Sequence, residues 1–353
     1  MKILYGVPGE GMGHATRAKV ILTHLAKNHE IRIVSSDRAY QFLQKVFPDQ
    51  TYEIKGFHFS YKDGVVSRSK TSVDIIKNAP ENLITNLKKH KDLHDDFKPD
   101  IVISDFESFT YLYAKYHRIP IISIDNMQII DRGKIDVKIP ESEKLNYKIA
   151  KAVVKAKLPN CNQYLISSFF NTKVKKKNSS LIPPIIRKEI LNAKREIKNH
   201  ILIYQSSNSE KTIINLLNKL PEENFLLYGF NKEQVHRNVS LKKFSETEFI
   251  DNFRTAKAVF CNGGYSFISE ALFLNKPICT VPIKNQFEQY LNSAYIEKLE
   301  YGKMLKDFEL DGIQDFLNNL PKFQKKIKEY QQKDNSLLFN ILDNELISFT
   351  KKK

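Results

Sequence analysis

Short apolar runs alternate along this chain with longer stretches in which apolar residues recur every three or four positions. That alternation marks an α/β chain, with strands buried on both faces and half-buried helices packed above and below them. Ile3 to Val7, Ile31 to Ser35, Ile101 to Ser104, Ile119 to Ile124 and Tyr164 to Ser167 are rich in β-branched residues and predict strands. Thr16 to Asn28 and Thr71 to Phe97 predict helices between them.

After Asn171 the chain reads TKVKKKNSSLIPPIIRKEI, where a lysine cluster, an Asn-Ser-Ser turn and two prolines predict the end of regular structure and a linker. A second series follows. Its strands are Ile201 to Gln205, Phe225 to Tyr228, Ala258 to Cys261 and Pro277 to Val281, and its helices Glu210 to Leu220, Glu246 to Ala256 and Ser266 to Leu274. Two Rossmann-like halves are expected, residues 1–185 and 199–325, joined by a linker over 186–198 and followed by a closing helix and tail over 326–353. The polar, helix-compatible stretch Gln314 to Leu346 is expected to pack across both halves. A chain of 353 residues exceeds one ordinary core, which agrees with this division.

Composition narrows the class without naming the chemistry. Hydrophobic residues at 41% and charged residues at 27% indicate a globular chain. The opening segment is too briefly apolar for a secretory leader, and no run reaches the roughly 18 apolar residues of a membrane span. Cys161, Cys261 and Cys279 are odd in number and widely spaced, matching neither a disulfide framework nor a zinc site, so a reducing cytoplasm is expected. The net charge of +16 favours anionic partners. No zinc-finger spacing, basic zipper or RNP-like motif accompanies it, so nucleic acid is not expected. The lysines have one organised element, a helix from Glu143 to Lys157. Lys144, Lys148, Lys151 and Lys155 share one side of it and Leu145, Ile149, Ala152, Val153 and Ala156 another. That pattern fits a solvated face; with Lys173 and Lys175 to Lys177 it also fits a peripheral seat on an anionic membrane that presents a lipid-linked acceptor.

The densest chemistry lies in AVFCNGGYSFISEALFLNKPICTVPIKNQFEQYLNSA, residues 258–294. A strand runs into Asn262, Gly263 and Gly264, and Ser266 opens a helix. Glycines let a ligand approach the backbone, and a helix N-terminus offers unpaired N–H groups to a phosphate. Glu270, one turn further on, is placed to accept bonds from ribose hydroxyls; alternatively the glycines make only a tight turn and Glu270 is a surface residue.

This stretch resembles the donor-binding signature of the UDP-glycosyltransferases and of the N-acetylglucosaminyltransferase that completes lipid II. The corresponding pieces are Gly264, Glu270, Lys276-Pro277, Pro282, Glu288-Gln289 and Asn292. The resemblance implies that Ser266 and the amides near Gly264 hold a diphosphate, Glu270 the ribose, and Glu288 with Gln289 the sugar hydroxyls. It also implies that Phe244 borders the uracil, with core packing as the alternative, and that Ser206 and Ser207 after Gln205 form a second phosphate-facing loop. Asn262 departs from the plant-type signature, which has a phosphate-contacting His there, and the spacing from Pro282 to Gln289 is longer.

A second glycine cluster, Gly9-Glu10-Gly11-Met12-Gly13-His14, follows the first strand. With Asp37 it suggests a dinucleotide fingerprint, but His14 stands where that pattern needs Gly or Ala. The same glycosyltransferases place a Gly-His pair at this turn, facing a cleft. Gly11 and Gly13 then lie on the donor side, and His14 is a general base for the acceptor hydroxyl, unless it only fills the turn or caps the helix. Asp105, at the end of KPDIVISDF, is its expected partner and fixes the imidazole tautomer; capping the next helix is the ordinary alternative. No Asp-x-Asp occurs, so no metal and no cofactor beyond the donor are expected.

Together these features imply a GT-B architecture, two Rossmann-like domains facing a cleft with a C-terminal helix crossing them. The implied activity is an inverting, metal-independent transfer of a hexosyl group from a nucleotide diphosphate donor, a UDP-sugar, to an acceptor hydroxyl on a glycan, lipid or small molecule. The alternatives are a nucleotide-sugar 2-epimerase on the same fold, a non-catalytic nucleotide-sugar-binding subunit and, more distantly, a Rossmann oxidoreductase.

Overall fold

The computed structural model describes residues 1–9, 11–55, 61–62, 65–66, 93–205 and 209–350. Strands β1 (Lys2–Val7), β2 (Glu30–Ser35) and β3 (Thr51–Glu53) begin the first sheet. The backbones of β4 (Tyr61–Lys62) and β5 (Val65–Val66) form a separate antiparallel pair. The first sheet continues with β6 (Ile101–Ser104), β7 (Ile121–Asp125), β8 (Gln163–Ser167) and β9 (Ser179–Ile182), in the all-parallel order β3-β2-β1-β6-β7-β8-β9. Its intervening helices are α1 (Met12–Leu25), α2 (Asp37–Val46), α3 (residues 93–96), α4 (Ser108–Tyr116), α5 (Ile129–Arg132) and α6 (Glu141–Lys157). In β1 and β6 Ile3, Leu4, Tyr5, Ile101, Val102 and Ile103 are all fully buried, because helices cover both faces of a parallel sheet.

The second sheet has the order β12-β13-β11-β10-β14-β15-β16. It comprises β10 (Ile201–Tyr204), β11 (Phe225–Tyr228), β12 (Gln234–His236), β13 (Val239–Leu241), β14 (Ala258–Cys261), β15 (Ile278–Thr280) and β16 (Gly302–Met304), with only β12 antiparallel at the edge. Before it come α7 (Lys188–Leu191), and around it α8 (Glu210–Leu217), α9 (Glu246–Thr255), α10 (Tyr265–Phe273), α11 (Phe287–Lys298), α12 (Leu310–Asn318) and α13 (Leu320–Ile327). Both sheets reverse direction of growth beside their first strand, at β1/β6 and at β10/β14. Ligands of open α/β sheets bind outside the carboxyl ends of such strands.

The last helix, α14 (Ser336–Thr350), returns to the first sheet. Leu338, Leu342 and Leu346, one turn apart, are fully buried in the cluster that holds Ile3, Ile21 and Ile182. Phe170 from the first half stacks on Tyr295 of α11 at 3.5 Å between ring centroids, so the two halves share a packed apolar contact.

Three expectations change. Helix α1 starts at Met12, not Thr16, which puts His14 in its first turn. The segment expected to lack regular structure contains β9, whose Ser179 to Ile182 pair with Tyr164 to Ser167; edge pairing supplies what the local sequence does not. The strand expected from Ile119 begins at Ile121, after Pro120, which lacks the N–H a central strand needs. Of the expected helix Thr71 to Phe97, all but the last residues lie outside the described segments, as do Glu10, Ser206 and Ser207.

Candidate active site

His14 and Asp105 meet. Asp105 follows β6 at the carboxyl edge of the first sheet, and His14 rises from the first turn of α1 beside it, with Nδ1 3.0 Å from Asp105 Oδ1. Capping does not explain Asp105: α4 is capped by Glu107, whose carboxylate accepts from Phe109 N at 2.6 Å and Thr110 N at 2.7 Å. Arg17, three residues after His14 on the same helix face, is 5% exposed and donates from Nε to Asp105 Oδ2 at 2.8 Å and from Nη2 to Oδ1. Burial alone would push Asp105 up. The charges of Arg17 and His14, and their hydrogen bonds, outweigh it and bring the carboxyl down to about 2.

Arg17 Nη2 also lies 2.7 Å from His14 Nδ1. In a neutral ring Nδ1 either donates to Asp105 or accepts from Arg17; it cannot do both. Donation to Asp105 leaves Nε2 as the basic nitrogen, and the anionic carboxylate favours that tautomer. His14 keeps 24% of its side-chain surface exposed, enough for an incoming hydroxyl to reach it.

The network continues across the cleft. Arg17 Nη1 donates to Asn126 Oδ1 at 2.8 Å, and Asn126 Nδ2 donates to Glu288 Oε1 in the first turn of α11 at 2.7 Å. Asn126 follows β7, and so reaches the same edge as Asp105. Behind it Asp125 is fully buried and pushed up to about 6, chiefly by burial and further by the charge of Asp105, against hydrogen bonds from Ser123 and Gln128. Arg17 and Asn126 were not among the residues singled out from sequence. The spacing of Arg17 from His14 and the place of Asn126 at a strand's carboxyl end are the signals that reveal them.

Two helix N-termini converge here. Gly11 is the N-cap of α1 and Gly264 that of α10, and neither helix has a side-chain cap or an acid in its first turn. Their first N–H groups and positive dipole ends are therefore left for an anion. Gly13 and Ser266 touch: Ser266 Oγ donates to the Gly13 carbonyl at 3.4 Å, and a Cβ at Gly13 would come within 2.8 Å of that oxygen. Gly263 has φ +88, and a Cβ there would lie 2.7 Å from the Gln289 carbonyl, so only glycine lets β14 turn against α11. Asn292 fixes the turn by donating to the Gly263 carbonyl at 3.0 Å. Nothing lies within 4 Å of a Cβ built at Gly264, which leaves its backbone open to a ligand. Asn262 precedes this turn at the end of β14 and is half-buried.

The remaining candidates divide. Gln289 Oε1 accepts from Ile283 N at 3.0 Å, so this side chain braces the loop before α11. Phe244 lies beyond β13, not at a strand end, and is 60% exposed, which removes core packing as its explanation. Its ring sits 5.6 Å from Phe249, and Tyr204, the last residue of β10, stands 44% exposed beside Phe249 and Phe267. Glu270 is not a surface residue: it is 7% exposed, with both oxygens on Arg187.

The family model described as glycosyl transferase family 1 matches residues 1–321. An uncharacterized glycosyltransferase of Methanosarcina mazei is 25% identical over 366 positions, covering 94% of each chain. A second, from Methanosarcina acetivorans, is 24% identical over 86% of each. Among solved structures, a UDP-glucosyltransferase from Polygonum tinctorium capable of glucosylating indoxyl superposes with a TM-score of 0.68 at 11% identity, covering 100% of this chain and 99% of that one. Phytolacca americana UGT2, complexed with UDP-2-fluoro-glucose and pterostilbene, gives 0.66 at 12% over 99% of each. The calicheamicin glycosyltransferase gives 0.65 at 13%, over 99% and 98%. These are GT-B folds, as the present one is.

Proposed function

This chain belongs to glycosyl transferase family 1, and from that premise we propose that it transfers a hexose from a UDP-sugar to an acceptor hydroxyl with inversion at the anomeric carbon. His14 Nε2 takes the hydroxyl proton as the acceptor oxygen attacks, and the bond from the anomeric carbon to phosphate breaks with its electron pair leaving on the diphosphate. Asp105 holds the tautomer. The N-termini of α1 and α10, with Gly11, Gly13, Asn262, Gly263, Gly264 and Ser266, receive the leaving charge without a metal ion, as fixed dipoles aimed at the place where charge develops. Ser206 and Ser207 join them in this proposal. Phe244 borders the base, Glu270 takes the ribose hydroxyls, and Glu288 with Gln289 meets the sugar.

The observation that carries this reading is the His14–Asp105 contact at 3.0 Å beside two uncapped helix N-termini. A base, its orienting carboxylate and an anion seat then share one edge of the cleft. A non-catalytic donor-binding protein has one point in its favour, the Arg17 Nη2 to Nδ1 distance of 2.7 Å, since donation there would block the base. One experiment separates the two. UDP-, GDP- and TDP-sugars are screened for binding and turnover with candidate acceptors, and His14→Ala is compared with wild type. Transfer should fall by about 100-fold or more with nucleotide affinity kept; equal turnover would overturn the base assignment.

For the acceptor we propose a lipid-linked species at an anionic membrane surface. Among the described residues no helix is long and apolar enough to cross a membrane. Helix α6 turns Asn146 and Val154 inward, while Leu145, Ile149 and Val153 are exposed and Lys144, Lys148 and Lys155 flank them. An exposed apolar stripe beside a row of cations complements an anionic bilayer better than it does water. The helix stands at the cleft rim, its Tyr147 ring 5.1 Å from Phe287, next to Glu288.

A further inference from the structure

Glu270 is a buried carboxylate in an acidic setting. Arg187, the N-cap residue of α7, grips it side-on, Nε to Oε1 at 2.8 Å and Nη2 to Oε2 at 3.0 Å, and its Nη1 reaches Glu246 at the start of α9 at 3.2 Å. The other charged groups facing Glu270 are Glu246 and Glu189, both of which disfavour its ionised form; Glu189 pairs with Lys19 of α1 at 3.1 Å. Burial, with these two acids, keeps the Glu270 carboxyl above its ordinary value, and Arg187 is the cation that opposes them.

Arg187 is itself held where the chain crosses between halves. One residue before it, Ile186 N donates to Asn335 Oδ1 at 3.0 Å and the Ile186 carbonyl accepts from Asn335 Nδ2 at 2.7 Å, while Gln332 Nε2 donates to the Pro184 carbonyl at 2.7 Å. The two crossing segments are therefore bonded side by side, and the arginine projects from that clamp toward α10.

We propose that Arg187 is a positioning residue for donor binding, which holds Glu270 as a fixed anionic acceptor for the donor ribose. The proposal rests on the ribose role of Glu270 given above. A carboxylate oxygen has two acceptor positions, and a fork of this kind occupies one on each oxygen. The second position on each oxygen remains, on the two flanks of the carboxylate, where a ribose hydroxyl can be accepted beside the arginine. Without the guanidinium, burial and the two acids favour the neutral carboxyl, which loses acceptor strength and is free to turn. Donor affinity then depends on pH, rising as the carboxyl ionises.

The test is calorimetric titration of UDP into wild type, Arg187→Met, Arg187→Lys and Glu270→Gln between about pH 6.5 and 8.5. Arg187→Met should bind about 10-fold more weakly or worse at the acid end and recover as pH rises, a trend steeper than in wild type, with Arg187→Lys between the two. Unaltered affinity in Arg187→Met, or a loss independent of pH, would overturn the positioning role. Glu270→Gln distinguishes the underlying reading: unchanged affinity there removes the ribose role itself, whereas weakened binding in Glu270→Gln beside wild-type behaviour in Arg187→Met removes only the arginine's part. No binding of UDP by wild type overturns both. Circular dichroism and urea midpoints of each variant separate lost binding from lost folding.

Discussion

Replacing Asp105 with Asn removes one charge from the middle of the buried network and leaves Arg17 facing an amide. The carboxyl's fall from 3.8 to about 2 in the folded chain, at about 1.4 kcal/mol per tenfold change in proton affinity, represents roughly 2 kcal/mol of stability. That figure already contains the loss of Arg17's counter-ion, since the guanidinium is among the groups that outweigh burial at Asp105; any hydrogen bond the amide fails to reproduce brings the total toward the lower end of the 3–5 kcal/mol or so of broken buried pairs. The sign follows from the direction of the shift. A depressed carboxyl stabilises the folded chain above its unfolded value of 3.8, and that contribution is lost as pH falls toward about 2. Urea denaturation of wild type and Asp105→Asn at several pH values from neutral to about 3 gives the difference directly. We expect about 2–3 kcal/mol near pH 7, shrinking by about 1 kcal/mol by pH 3, where the unfolded carboxyl is largely protonated and folded Asp105 is not. A difference below about 1 kcal/mol at neutral pH, or one that stays constant down to pH 3, would refute the reasoning.

Asp125 should behave oppositely. Its carboxyl is raised to about 6, so the stability associated with its protonated form is full below 3.8 and lost as pH rises through about 6. Asp125→Asn should remove that loss, gaining roughly 2–3 kcal/mol over wild type between about pH 4 and pH 7.5; parallel urea curves at the two pH values would contradict it. On the outer face of α6, changing Lys144, Lys148, Lys151 and Lys155 to Glu should cut sedimentation with phosphatidylserine vesicles by about 10-fold or more. Equal binding of wild type to neutral and anionic vesicles would reject the membrane seat.

The chain's apolar runs were enough to read two parallel sheets, because a strand buried on both faces must be apolar throughout and a helix above it must be apolar on one side. The glycine turns were visible as glycines between a strand and a helix; that a side chain at Gly263 or Gly13 would strike Gln289 or Ser266 came only with the structure. Edge strands escaped the apolar pattern. Thr51–Glu53 and Ser179–Ile182 are only three and four residues long, and their pairing depends on a neighbour already in place.

The candidate site was legible to the extent that its residues end strands or begin helices, as His14, Asp105 and Ser266 do. What joins them was not. His14 and Asp105 lie 91 residues apart in the chain, Asn126 and Glu288 lie 162 apart, and Arg187 and Glu270 lie 83 apart. Those contacts are set by the order of the sheets and by the packing of one half on the other, through which the buried Arg17 and the half-buried Arg187 acquire their partners. Sequence alone indicated which edges of the fold carry the candidate residues; only the tertiary structure decided which charges face one another there, because the burial that raises Asp125 and the Arg17 and His14 charges that outweigh burial at Asp105 are properties of the assembled cleft and not of either local segment.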